Sequence, residues 1–175
     1  MDLMRIVDII KEKVACSYKD DIAIICLYGS FIQGTAHSKS DIDFYFIPRT
    51  SRGYELAKEF IINDVGFDFW AISWDRAEEI ASYKQGFVSI IADAQVIWQS
   101  NDEDREKFEK LRISALTPTV DLRERTKQLY NQCEHLYCQI CTSFDFIIQK
   151  QIASKLVSNV VEFIAVLNHT YTHRG

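Results

Sequence analysis

The chain is poor in the residues that punctuate or stiffen a backbone, with two prolines and six glycines in 175 residues. It contains no internal repeat and no low-complexity segment, which excludes repeat arrays and compositionally biased tracts. No apolar run approaches the roughly 20 residues that span a bilayer, so no membrane role is expected. Met1-Asp2-Leu3-Met4-Arg5 lacks the charged, apolar and small-residue order of a secretion signal. The five cysteines, Cys16, Cys26, Cys133, Cys138 and Cys141, are an odd set without such a signal, so free thiols in a reducing cytoplasm are expected. Cys133, Cys138 and Cys141 lie near His135, but no second Cys-x-x-Cys or His pair follows at finger-like spacing. These three are therefore expected to be core residues rather than zinc ligands. A basic stripe that could track a nucleic-acid backbone is also missing, so nucleic acid is not an expected partner.

What is present describes an ordinary globular chain, 47% hydrophobic and 26% charged. Its length suffices for one substantial core, or one core with a helical appendage. The net charge of -5 lies entirely within residues 1–100, where 15 acidic residues face 10 basic ones. A locally acidic domain suits metal ions and a cationic small substrate.

The densest signal runs from Ile22 to Ile47. Ile22-Ala23-Ile24-Ile25-Cys26-Leu27-Tyr28 is a near-continuous apolar run, the mark of a strand buried on both faces. Gly29-Ser30 follows and leads into a stretch that reads as the first turns of a helix ending near Gly34. A phosphate can approach a backbone closely at a glycine, the helix N-terminus offers N–H donors, and Ser30 adds a hydroxyl. Then comes Ser40-Asp41-Ile42-Asp43-Phe44-Tyr45-Phe46-Ile47, stopped by Pro48. On a strand, Asp41 and Asp43 would share one face, about 7 Å apart, with Ile42 and Phe44 on the other. Two such carboxylates repel unless a cation sits between them, and magnesium, hard and oxygen-seeking, is the natural occupant.

Gly29-Ser30, ten residues, then Asp41-x-Asp43 resembles the signature of the DNA-polymerase-beta-like nucleotidyltransferase superfamily. The first hundred residues look most like its kanamycin (aminoglycoside) nucleotidyltransferase type. The resemblance implies Mg2+ and ATP, or another nucleoside triphosphate, as cofactor and co-substrate. It implies binding by Gly29, Ser30 and Ser40, and metal ligation by Asp41, Asp43 and a third carboxylate on a neighbouring strand. Asp68, inside Gly66-Phe67-Asp68-Phe69-Trp70-Ala71-Ile72-Ser73, matches that third position as metal ligand or general base, the plainer alternative being an edge-strand carboxylate in water. Asp64 and Asp75 compete more weakly, in turn and helix-start positions. Kanamycin-type enzymes activate the acceptor with a glutamate on the helical domain. Glu134 stands at that place here, the plainer alternative being a solvated helix glutamate, and Cys138 stands four residues on where those enzymes carry a lysine. The implied reaction moves a nucleoside monophosphate onto a hydroxyl of a small molecule, an aminoglycoside or lincosamide. The implied assembly is a homodimer with a shared site. A rival reading keeps the fold: an antitoxin-type nucleotidyltransferase that modifies or binds a helical protein partner.

The expected fold is α+β, a small mixed sheet with flanking helices (residues 1–116) followed by a helical domain (residues 117–175), a shortened bundle beside those enzymes. Leu3, Ile6, Val7, Ile10 and Val14 predict an opening amphipathic helix to Tyr18. Residues 49–52 read as a loop, 55–62 as a short helix or an extended edge, and Ser73 or Asp75 as the start of a helix through Ala81. Ala94 to Trp98 would close the sheet, and the acidic cluster at Ser100–Asp104 would open a helix to Leu116. Thr117-Pro118-Thr119 marks the boundary, and helices of about Val120–Thr142 and Phe144–Thr172 follow.

Overall fold

The computed structural model describes residues 3–37, 40–118 and 121–173. It is an α+β fold built on one five-stranded mixed sheet. Helix α1 (Leu3–Ser17) precedes strands β1 (Ile22–Tyr28) and β2 (Ile42–Pro48), then the short α2 (Ser51–Tyr54). A hairpin, β3 (Lys58–Ile62) and β4 (Val65–Ala71), leads to helices α3 (Trp74–Ala81) and α4 (Ser89–Ala92). Strand β5 (Gln95–Gln99), α5 (Asp102–Leu116), α6 (Arg123–Thr142) and α7 (Phe146–Leu167) complete the chain. No helix among the described residues is long and apolar enough to cross a membrane.

The spatial order is β3-β4-β2-β1-β5, with β2 and β4 parallel and the other neighbours antiparallel. Alternation divides the central strands between two covers. Leu27, Ile42, Phe44 and Phe67 pack with Val7 of α1, and Ile22, Ile25 and Phe46 with Val14. Cys26, Tyr28, Tyr45 and Ile47 turn to the opposite cover, where Ile80, Ile91 and Phe108 of α3, α4 and α5 meet them. Leu122, Leu129 and Val166 join that second core, so the base of the α6–α7 pair docks against the α3–α5 layer.

Local chemistry explains the element ends. Ser73 caps α3 by accepting from Arg76 N, and Asn101 caps α5 by accepting from Asp104 N. The β3–β4 connection is the two-residue Asn63-Asp64, both at positive φ (51° and 64°), the conformation of a tight hairpin turn. Residues 58–62 thus take the extended alternative, as the exposed edge strand.

Several expectations need correction. The segment 49–52 is not all loop: Thr50 accepts from Gly53 N and starts α2. No helix forms after Gly29. Its carbonyl accepts from Ile32 N and Gln33 N, and the turn ends at Gly34 with φ 71°. Helix α7 begins at Phe146, capped by Asp145, and stops at Leu167, where Asn168 and then His169 (φ 56°) reverse the chain before Thr172. Cys138 and Cys141 are exposed rather than core, because α6 turns its Leu129 face inward and that pair outward; Cys133 is half-buried. Thr119 and Val120, at the expected domain boundary and helix start, lie outside the described residues.

Candidate active site

The register places a row of carboxylates across one end of the sheet. Asp43 of β2 is level with Tyr28 of β1 on one side and Asp68 of β4 on the other. Asp68 is in turn level with Glu59 of β3. Residues level in neighbouring strands point to the same face, about 4.8 Å apart, so Asp43, Asp68 and Glu59 form one row. Every other residue of β2 is buried, and Asp43 is the one that reaches partway to solvent. Asp41 stands one residue ahead of the strand, exposed, beyond the row.

Two glycines make room for these side chains. A methyl group on Gly29 would lie 2.5 Å from Asp43 Oδ2, and Gly29 holds φ +78°, which favours glycine. A methyl group on Gly66 would collide with Asp41 Oδ1. Asp41 therefore lies against Gly66 of β4 and Asp43 against Gly29, at the end of β1. Among the described residues no three His, Cys, Asp or Glu side chains converge closely enough to hold a metal ion together. The donor set is nonetheless all oxygen, the kind hard divalent cations take. Asp41, Asp43, Glu59, Asp64, Gly66 and Asp68 line one open cleft of about 690 Å3.

Beneath the row lies an aromatic floor. Tyr45 and Trp70 follow Asp43 and Asp68 by two residues, on the same face, and meet Tyr28 with ring centroids 5.6–6.2 Å apart. Trp70 Nε1 donates to Tyr28 Oη at 2.8 Å, tying the strands together where the carboxylates emerge.

The other expected site residues take distinct places. Ser30 is half-buried in the turn after Gly29, and its carbonyl accepts from Thr35 N. Ser40 Oγ accepts from His37 N at 2.9 Å and shapes the approach to Asp41. Glu134 lies on α6, where its carboxylate accepts from Tyr130 Oη at 2.8 Å, and it does not line the acidic cleft. Asp75 sits in the first turn of α3, where a carboxylate complements the helix dipole. Glu59 is the carboxylate that sequence reasoning missed. Its only signal was the extended alternative for residues 55–62, and register alone brings it level with Asp68.

Residues 10–103 match the family described as Polymerase beta, Nucleotidyltransferase. Among solved structures, the fold is similar to a nucleotidyltransferase-like protein from Exiguobacterium sibiricum 255-15, with TM-score 0.50 and 10% identity over 97% of this chain. The match takes in 59% of that protein, so this chain spans somewhat over half its length. A toxin-antitoxin with AMP-PNP (TM-score 0.38, 13% identity) and a mutant of the toxin-antitoxin MntA-HpeT (0.39, 14%) each match over 78% of this chain and 98% of theirs. No curated protein matches the sequence.

Proposed function

This chain belongs to the Polymerase beta nucleotidyltransferase family, and from that premise we propose that it transfers a nucleoside monophosphate, AMP from ATP, to a hydroxyl of a small cationic molecule of the aminoglycoside or lincosamide kind. The observation that carries this reading is the level row Asp43, Asp68 and Glu59 beside the bare backbone of Gly29. The absence of a side chain at Gly29 lets the Asp43 carboxylate lie against the turn, and the Ser30 hydroxyl beside it would donate to the outer phosphates of the nucleotide. Asp41 and Asp43 would hold Mg2+, with Asp68 completing the set or taking a proton. The metal when bound would neutralise charge developing on the phosphoryl oxygens. Glu59 and Asp64, at the outer wall of the cleft, suit the ammonium groups of a cationic acceptor. A cytoplasmic setting supplies the nucleotide and suits five free cysteines.

The test is pyrophosphate release from ATP and Mg2+ with a panel of aminoglycosides and lincosamides. Acceptor-dependent release that Asp43→Asn abolishes supports the reading. Equal release by the variant, or none with any acceptor, sinks it.

A second reading is favoured by the α6–α7 pair. Phe146, Val157, Val160, Ile164 and Leu167 recur along α7 at spacings that put them on one stripe, and each is at least 36% exposed. Tyr130 and Tyr137 of α6 are exposed as well. Such a two-helix face is half of a four-helix bundle, suited to a second copy of this chain or to a helical protein partner in an antitoxin-type role. A dimer would also let Glu134 reach a cleft from the other subunit. Sedimentation of the purified chain tests this reading: twice the 20.3 kDa chain mass means self-association, and a monomer at high concentration removes the homodimer.

A further inference from the structure

Strand order gives the site a direction. Glu59 of β3, Asp68 of β4 and Asp43 of β2 stand in one row, and β1 comes next with Gly29-Ser30 at its end. Beyond β1 lies β5, whose Gln95 is level with Leu27. Asp93 closes α4 two residues before β5. The Gly29-Ser30 turn therefore stands between the carboxylate row and Asp93, with neighbouring strands about 4.8 Å apart. A triphosphate with its α-phosphorus at the row and its outer phosphates at Ser30 points its far end toward Asp93.

An anion cannot rest on a carboxylate, but the chain after α7 brings a donor to this place. Past the turn at His169, Tyr171 packs against the core shared by α3, α4 and α5, and its hydroxyl donates to Asp93 Oδ1 at 2.8 Å. That anchor sets His173 with Nδ1 2.7 Å from Asp93 Oδ2. Asp93 is 16% exposed and His173 65% exposed, so the imidazole covers the carboxylate on its solvent side. With Ile32, Gln33 and Thr35 the pair lines a cavity of about 550 Å3. Those three belong to the turn following Gly29-Ser30, where Thr35 N donates to the Ser30 carbonyl at 3.0 Å. The cavity thus continues the phosphate turn, with the Gln33 amide on one wall and the imidazole on the other.

We propose that His173, held by Asp93, binds the outer phosphates of the nucleotide and so selects a triphosphate as donor. The proposal rests on the transferase reading above. In the imidazolium form both ring nitrogens donate, Nδ1 to Asp93 and Nε2 to a phosphate oxygen. The ring then stands between two negative groups, and its loss would leave Asp93 facing the triphosphate directly. Because the two outer phosphates leave together, the pyrophosphate formed keeps the same contact. His173 lies outside residues 10–103, the segment that matches the family, so the contact is one that the matched segment does not supply.

The test is calorimetric titration of wild type, His173→Ala and the double variant His173→Ala with Asp93→Asn, using ATP, ADP and AMP with Mg2+. His173→Ala should weaken ATP about tenfold, ADP less, and AMP hardly at all, since only the longer nucleotides reach the ring. Adding Asp93→Asn should recover part of the ATP affinity, because the bare charge is gone while the amide oxygen still accepts from Tyr171. In turnover, the KM for ATP should rise with kcat little changed, and pyrophosphate should inhibit the variant less. Wild-type ATP affinity in His173→Ala overturns the assignment. So does an equal loss for AMP and ATP, the mark of a merely structural role, or a double variant no tighter for ATP than His173→Ala. Wild-type pyrophosphate release in Asp43→Asn would instead overturn the transferase reading, so the two failures are distinct.

Discussion

The central strands and helix α7 are both rich in apolar side chains, yet they meet opposite fates. Every residue of β1 is buried, and so is every residue of β2 but Asp43, whereas α7 buries only Ala165 and Val166. The strands have a hydrogen-bonded neighbour on each edge and a helical cover on each face. Along most of its length α7 has α6 alone. Where all sides are covered, register fixes each side chain, and a carboxylate placed by register is placed firmly. Where one side is covered, an apolar stripe is left whose role depends on what meets it.

The largest expected effect lies on the covered side. Asp43→Asn should cost several kcal/mol of transition-state stabilisation, about 10³-fold in pyrophosphate release, while urea unfolding shifts little. A comparable loss from a substitution on the α7 stripe would break the contrast between the two regions. Next comes Cys26, whose thiol burial pushes up to about 12 from an ordinary 9. Because the folded state holds that proton more tightly than the unfolded one, its contribution is fully present below pH 9 and is lost as pH rises toward 12. On the order of 4 kcal/mol is at stake. Alkaline unfolding should therefore begin above pH 9 and be blunted in Cys26→Val, while Cys16, Cys138 and Cys141 react with a thiol reagent in the native state and Cys26 does not. Gly29→Ala should destabilise by roughly 1–3 kcal/mol, through its positive φ and the displacement of Asp43, as read by denaturant titration. Val157→Glu should be the mildest for the monomer, within about 0.5 kcal/mol, yet should abolish any self-association seen by sedimentation. If it unfolds the chain instead, the stripe is core and the comparison fails.

Much of this was legible in the residues themselves. A two-residue period fixes which side chains share a face, so Asp43 and the Ile42–Phe44 underside followed from local pattern alone, and Asp68 from its odd place among aromatics. The α2 and α4 turns were not legible, because four residues carry no period. Glu59 was hidden for another reason: Lys58–Ile62 reads equally as helix or edge, and only pairing through the Asn63-Asp64 turn sets it level with Asp68. Cys138 and Cys141 were misplaced because a helix pattern does not say which of two apolar faces will find a cover. The contact between Asp93 and His173 spans 80 positions and depends on how the tail returns, which no local signal records.

At the end of the sheet away from the carboxylates, Asp21 holds β1 and β2 together. Its carbonyl accepts from Arg49 N at 2.8 Å, and its carboxylate accepts from Thr50 Oγ1 at 2.6 Å and from Arg52 at 3.1 Å. Gly53 lies so close that a side chain there would strike the Asp21 carbonyl. The sheet thus resembles a beam held at both ends, by the Asp21 knot at Ile22 and Pro48 and by the Trp70–Tyr28 tie beside Asp43. Amide exchange along β1 should therefore stay slow from Ile22 to Tyr28 and quicken only past Gly29.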